Sequence, residues 1–404
     1  MYLLALLMLL SAPNLHSYTS KYVSNGVITE NFSIPNGLEP AVDFWIDVYS
    51  KYDTNNVIIH DSDYHIIYEI IDTSDIDAMN YFSDAIKQEI IDSRIISVQK
   101  KYKDALKKLS VSHEKPDDLD QFLYSVYTKF NDVKGSDKFV EACRPGRMRV
   151  QKGQASSFKK GIEYSSKYLP EMERAFKKDN LPVELTRIPF VESYFDTSAV
   201  SKVEASGIWQ FMKGTGGEYL KVKKEYDERR DPVLSTQAAA RLLKQSYEYL
   251  GKSWPLAVTA YNHGMYGMKK ASNSVGSRDI VKIIREYKGD KFGFASRNFY
   301  AEFLAALYVE KHHQDLFEDV NHMRPSNYGV VVTVRPMNIS QLELLLDVDK
   351  AELKQYNPAL SKKIFAGEAV VPEGAKLRVP ISRFKRLLSR TEVVKGITNY
   401  VKFI

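Results

Sequence analysis

A single cysteine, Cys143, excludes an internal disulfide framework and any multi-cysteine metal site in this chain of 404 residues. It lies too far from the first residue to serve as a lipoprotein anchor and reads as an inert, buried or half-buried thiol. Tryptophan is scarce, with 3 copies against 26 tyrosines, and an abundance of tyrosine by itself does not separate a sugar-stacking surface from an ordinary core. The apolar run MYLLALLMLLSA at residues 1–12 is too short to cross a bilayer as a helix. No nucleic-acid-binding motif accompanies the mild net charge of +6, so nucleic acid is not an expected partner. His60 and His65 flank an acidic turn without the fixed helical spacing of a metal site, and neither a metal nor a cofactor is expected.

The length allows two or three domains, each with its own core. Residues 1–16 read as a secretory signal peptide, although the basic residues that normally precede the apolar run are missing and the first is Lys21. Export to the periplasm or cell envelope is therefore the expected localisation. Residues 17–37, with Gly26, Pro35 and Gly37, read as a linker. From 38 to 146 the pattern is mostly helical, starting with Val42, Trp45, Ile46 and Tyr49, and interrupted by one hairpin. Its strands are Val57–His60 and Ile66–Tyr68, joined through Asp61-Ser62-Asp63.

The stretch LPVELTRIPFVESYFDTSAVSKVEASGIWQFMKGTG, residues 181–216, is the one around which the chain is organised. A helix is expected to open at its start, capped by Asn180 with Pro182 in the first turn and kinked by Pro189. Leu185 and Ile188 set an apolar stripe whose next member, at i+7, is Glu192. An acid at the end of a core-facing stripe is costly to ionise, so it should hold its proton near neutral pH as a general acid must. On periodicity alone a solvent-facing glutamate at a helix end remains open. Asp196, four residues on, is assigned a structural role in the turn.

The order Glu192-Ser193, then Ser201, then Gly207-Ile208-Trp209-Gln210-Phe211-Met212, then Thr215-Gly216 resembles the lytic transglycosylases, which are goose-lysozyme-like muramidases. Ala260-Tyr261-Asn262-His263-Gly264 resembles that family's Ala-Tyr-Asn-x-Gly motif. Tyr226-Asp227-Glu228-Arg229-Arg230-Asp231 is similar to a link found in its membrane-bound, LysM-bearing branch. The resemblance implies a catalytic domain over residues 147–315, with a lysozyme-like helical fold and a cleft for peptidoglycan glycan strands. It implies that Glu192 protonates the oxygen between N-acetylmuramic acid and N-acetylglucosamine. The same carboxylate then takes the proton of the muramoyl C6 hydroxyl, which closes a 1,6-anhydro ring. It further implies that Ser201, Gly207, Gln210, Met212, Tyr261 and Asn262 contact substrate. Ala295-Ser296-Arg297-Asn298-Phe299-Tyr300 departs from the family's Glu-Thr-Arg-x-Tyr. Either Tyr300 replaces the tyrosine at Phe299 with a shift of one residue, or the hydroxyl is dispensable. A lysozyme-type hydrolase and a non-catalytic wall-binding scaffold remain alternatives on the same residues.

Residues 329–381 read as a β-α-α-β order similar to a LysM module, with Arg335-Pro336-Met337 where Gly-Asp-Thr usually follows the first strand. Residues 382–404 form a basic tail, its excess of Lys and Arg suited to an anionic wall or membrane surface. The expected fold class is therefore mainly α: a lysozyme-like helical domain, preceded by a mostly helical region with a small hairpin and followed by a small LysM-like module.

Overall fold

The computed structural model describes residues 20–111, 118–129, 137–389 and 398–404, so the expected signal peptide lies outside the described residues. The protein is mainly α-helical with two small antiparallel sheets. It divides into two compact units, Met1–Gln154 and Ala155–Ile404.

In the first unit, the helix Glu39–Ser50 starts with Pro40 in its first turn, where the missing N–H costs nothing. Residues 20–37, expected as a linker, are instead packed: Val23, Ile28, Phe32 and Ile34 are buried. Ser20 Oγ also donates to Asp43 at 2.5 Å. Apolar residues spaced among the turn formers gave this segment a core face that its composition concealed.

The predicted hairpin forms as β1 (Asn56–Asp61) and β2 (Ile67–Asp72). A third strand, β3 (Met148–Lys152), completes the sheet in the order β2-β1-β3, with Ile59 opposite Val150. Residues 147–154 therefore belong to the first unit and not to the catalytic region, which moves the expected boundary. Central β1 is buried along both faces, so it needed a partner on each side.

His60 and His65 are placed by aromatic packing. Both rings pack on Phe44, with centroids at 4.5 and 5.4 Å. Burial lowers the His60 pKa to about 3, which makes it a neutral core ring. Next to it, Asp61 accepts from Arg147 Nε at 2.8 Å, Tyr127 Oη at 2.8 Å and the Tyr64 N–H at 2.7 Å.

In the second unit the periodic segments form helices at Pro232–Tyr249, Trp254–His263, Ile280–Glu286 and Phe294–Lys311. The helix expected over 156–178 is two, Ala155–Ser165 and Leu169–Lys178, because Pro170 suits only the first turn of a new helix. Beyond residue 327 lie β4 (Tyr328–Thr333), the helices Ile339–Leu346, Lys350–Tyr356 and Lys362–Phe365, and β5 (Lys376–Pro380). The tail returns a further strand, β6 (Val401–Phe403), and the sheet order is β5-β4-β6.

The 382–404 stretch is thus largely part of the fold. Arg383 pairs with Glu352 at 3.7 Å and Arg386 pairs with Asp347. Arg390, Glu392 and Lys395 lie outside the described residues.

This C-terminal layer shares its core with the helical part. Tyr226, 1% exposed, packs in the same apolar cluster as Val331, Leu342, Leu353, Leu377 and Val401. Its hydroxyl accepts from Lys376 N at 3.0 Å. Asp227 N donates to Ala359 O at 2.9 Å, and Ser361 N donates to Glu225 O at 2.9 Å. Arg378 of β5 pairs with Asp231, which caps Pro232–Tyr249 by accepting from Val233 N and Leu234 N.

Candidate active site

The acid stands on a very short helix. Residues Val183–Arg187 wind as a 3-10 turn, and Ile188–Ser193 then forms an α-helix with Pro189 in its first turn. Pro189 therefore begins a helix where a kink was expected. The expected cap also differs: Asn180 is left-handed, with φ 55°, and Pro182 occupies the N-cap position of the 3-10 turn. The stripe logic survives this change, since Leu185 and Ile188 are fully buried and Glu192 comes after them at the helix end.

Two left-handed residues stop the chain directly afterwards, Tyr194 at φ 50° and Phe195 at φ 60°. Such geometry at aromatic residues costs about 1–3 kcal/mol each and persists only where the surroundings enforce it. Phe195 supplies part of that enforcement, its buried ring packing edge-on against Phe190 at 4.7 Å.

Glu192 is half-buried, and burial is the one cause that pushes its carboxyl up to about 8. Among the described residues no basic group pairs with it. Its neighbours are acids and phenols. The Glu192 charge helps to raise the phenol of Tyr261 and the carboxyl of Glu302, whose value burial first and Glu192 second push up to about 8. Tyr194 is raised by burial and by Glu302. The arrangement can hold a proton at neutral pH and release it to a bound acceptor.

The 199–216 loop is bound to this helix and to its own support. Ser193 Oγ donates to Ile208 O at 2.8 Å, and Tyr261 Oη donates to Trp209 O at 2.8 Å. Trp209 Nε1 donates to Thr236 Oγ1 at 2.8 Å from within the core. Behind the loop, Arg229 Nη1 donates to Glu204 O at 2.8 Å and Phe211 O at 3.0 Å. Gly207 has φ +76°, and a Cβ there would meet Arg229 O at 2.0 Å. The glycine's role is close approach of the chain to itself.

The sequence-predicted residues divide accordingly. Tyr261 stacks on Phe299 at 6.3 Å and lies beside Glu192. Asn262 is exposed and accepts from Ser296 Oγ at 2.7 Å. Gln210, left-handed at φ 47°, donates to Gly207 O at 2.8 Å and Ala199 O at 3.2 Å, which uses its amide nitrogen inside the loop. Met212 is 44% exposed and open to a ligand. Ser201 Oγ accepts from Ala205 N at 3.0 Å and holds a turn. Asp196 also holds a turn, accepting from Ser198 N at 2.8 Å.

Tyr300 does not take over from Phe299. The step of about 100° along the helix turns it into the core, where it is 2% exposed and stacks on Phe303. Phe299 holds the ring position against Tyr261. The residue that sequence reasoning passed over is Glu302. Its signal was an isolated acid inside the apolar run Phe299-Tyr300-Ala301-Glu302-Phe303-Leu304-Ala305-Ala306.

Residues 170–284 match the family profile "Transglycosylase SLT domain". The chain is similar to membrane-bound lytic murein transglycosylase D of Escherichia coli (strain K12), 45% identical over 96 residues. That match covers 24% of this chain and 21% of the relative, so it spans about a fifth of that protein. It is also similar to a putative tributyltin chloride resistance protein of Alteromonas sp. (strain M-1), 33% identical over 113 residues, covering 28% of this chain and 54% of the relative. Among solved structures, the 70 kDa soluble lytic transglycosylase SLT70 of Escherichia coli matches with TM-score 0.30 and 21% identity, over 39% of this chain and 27% of that one. An inactive variant of lytic transglycosylase Slt from Pseudomonas aeruginosa matches with TM-score 0.30 and 14% identity, over 61% and 38%.

Proposed function

With residues 170–284 a transglycosylase SLT domain, we propose that the protein is a peptidoglycan lytic transglycosylase that works with Glu192 as its one acid and base. What supports this is the placing of Glu192 at the end of Ile188–Ser193, half-buried and without a basic partner among the described residues, where burial pushes its pKa up to about 8. A glutamate of that kind gives its proton to the oxygen linking N-acetylmuramic acid to N-acetylglucosamine as the bond breaks. The carboxylate so formed takes the proton of the muramoyl C6 hydroxyl while that oxygen bonds to C1. The proton gained equals the proton lost, and the enzyme returns to its starting state. An intramolecular hydroxyl has a high effective concentration, so neither a protein nucleophile nor an activated water is required.

Met212 and Asn262, both exposed, and the Tyr261 ring are the groups placed to meet sugar. Gln210 and Gly207 act through the loop that presents them, and Ser201 through its turn. The substrate reading puts the protein in the cell envelope. The C-terminal layer, which shares a core with the helical part, supports the 221–231 link; separate glycan binding by it is not needed for this reading.

Mass spectrometry of soluble products from purified peptidoglycan tests the reading, with Glu192→Gln alongside. Anhydro-muropeptides from the wild type and none from the variant are expected. Hydrated reducing ends would assign a lysozyme-type hydrolase, and wall binding without release would assign a scaffold.

A further inference from the structure

Glu302 sits in the middle of the helix Phe294–Lys311, between the fully buried Ala301 and Phe303. The same helix carries Glu310 two turns on, and there Arg187 supplies a partner at 3.1 Å. Glu302 has none: among the described residues no basic group bonds to it or pairs with it. Its neighbour in charge is Glu192.

The packing puts their two helices against each other. This helix lies against both Ile188–Ser193 and Trp254–His263. Asn298, Phe299 and Glu302 fall on one stripe of it. Phe299 stacks on Tyr261, whose hydroxyl is fixed on Trp209 O, so the stripe is turned toward the acid's surroundings. The groups that face the pair are Tyr194 from the end of the acid's helix and Tyr261 from the helix beside it. Arg187 of the 3-10 turn is taken by Glu173 and Glu310. His263 packs on Phe292. Beyond the helix end, His313 bonds to Glu310 O.

We propose that Glu302 is a positioning residue for the chemistry of Glu192: the two carboxyls share the site's protons, so that while one is ionised the other keeps its own. This rests on Glu192 being the acid of the proposed reaction. Two half-buried carboxylates on packed helices, without a cation between them, cannot both ionise at low cost, and such groups titrate as a pair. When Glu192 passes its proton to the glycosidic oxygen, its carboxylate forms beside a neutral Glu302. When the C6 hydroxyl returns a proton to Glu192, the pair is restored. Glu302 exchanges no proton with the substrate.

The deciding measurement is kcat against pH for wild type and Glu302→Gln, with Glu302→Asp as the conservative rescue. In the wild type the singly ionised pair still leaves Glu192 protonated part of the time. The alkaline limb should therefore fall in two one-proton steps. Glu302→Gln should give a single one-proton step with its midpoint lower by about one pH unit, and Glu302→Asp should restore the two-step form. An unshifted, unchanged limb in Glu302→Gln, with Glu192→Gln inactive, overturns the role of Glu302 alone. Full activity in Glu192→Gln overturns the reading of Glu192 itself. If Glu302→Gln does not fold, carboxyl NMR titration of the wild type decides: linked curves for the two glutamates support the pair, and two independent one-proton curves overturn it.

Discussion

Two acidic centres sit in this molecule, one in each unit, one fully buried and one half-buried, and they are treated in opposite ways. Asp61 is fully buried and surrounded by donors: Arg147, Tyr127, Tyr68 and two backbone N–H groups. Glu192 is half-buried with no cation paired to it among the described residues, and its charge acts on another acid, Glu302. A buried carboxylate with partners holds a sheet to the helices around it. One without partners keeps its proton, at a cost to folding that packing must offset. The contrast is what the proposed reaction requires of the second centre, a carboxyl that can hold and pass a proton.

The sharpest way to break that contrast is Glu192→Gln, which should lower the rate of product release by about 10²–10⁴-fold while leaving the fold intact. A variant that keeps near wild-type release of anhydro-muropeptides would put the two centres on an equal footing. Asp61→Asn should do the reverse. It takes away the buried one of Arg147's two carboxylate partners, leaving Asp63 at 2.7 Å, and should cost about 1–3 kcal/mol of stability, read by denaturant unfolding, with the pH profile of turnover unmoved. A shifted profile would connect Asp61 to the chemistry after all.

The acids should also leave a trace in stability against pH. Glu192 and Glu302 rise from an ordinary value of 4.5 to about 8 in the folded protein. The unfolded chain therefore loses these protons first. The contribution is most favourable below about 4.5 and is lost progressively as pH rises to about 8. Glu192→Gln removes its part of that slope and should stabilise the protein at neutral pH by on the order of 3 kcal/mol. A melting temperature for Glu192→Gln that tracks the wild-type pH dependence would contradict the raised pKa of the carboxyl.

Gly207→Ala comes next. It places a Cβ against Arg229 O in a left-handed backbone and should cost about 1–3 kcal/mol in thermal melting. Tyr261→Phe, which leaves Trp209 O without its 2.8 Å donor, should cost about 1 kcal/mol and slow turnover no more than about tenfold.

Much of this was legible from residue order. The stripe Leu185, Ile188, Glu192 foretold two buried positions, though Leu185 lies in a 3-10 turn and Glu192, after them, is half-buried. β4, β5 and the two helices after β4 were readable from capping and punctuation, as at Asp349 and Asn357-Pro358. The features that escaped depended on distant partners. β3 and β6 are short and give no period of their own, so they exist only because β1 and β4 have open edges to fill. Pro189 was read as a break because nothing local shows that the chain arrives there as a 3-10 turn. Glu302 escaped because an acid in an apolar helix is visible locally, whereas the other acid whose charge acts on it is not.

Tyr226 carries a consequence for how this chain can be cut or recombined. The stretch near residues 317–327, without helix or strand, looks like a hinge at which the last part could be exchanged for another. The physical joint is elsewhere, in a tyrosine a hundred residues upstream whose ring is a member of the later part's core. A truncation at the apparent seam would produce a fragment with an unfilled apolar socket, prone to self-association and proteolysis. A transplant of the last part would fold only if the 221–231 segment travelled with it.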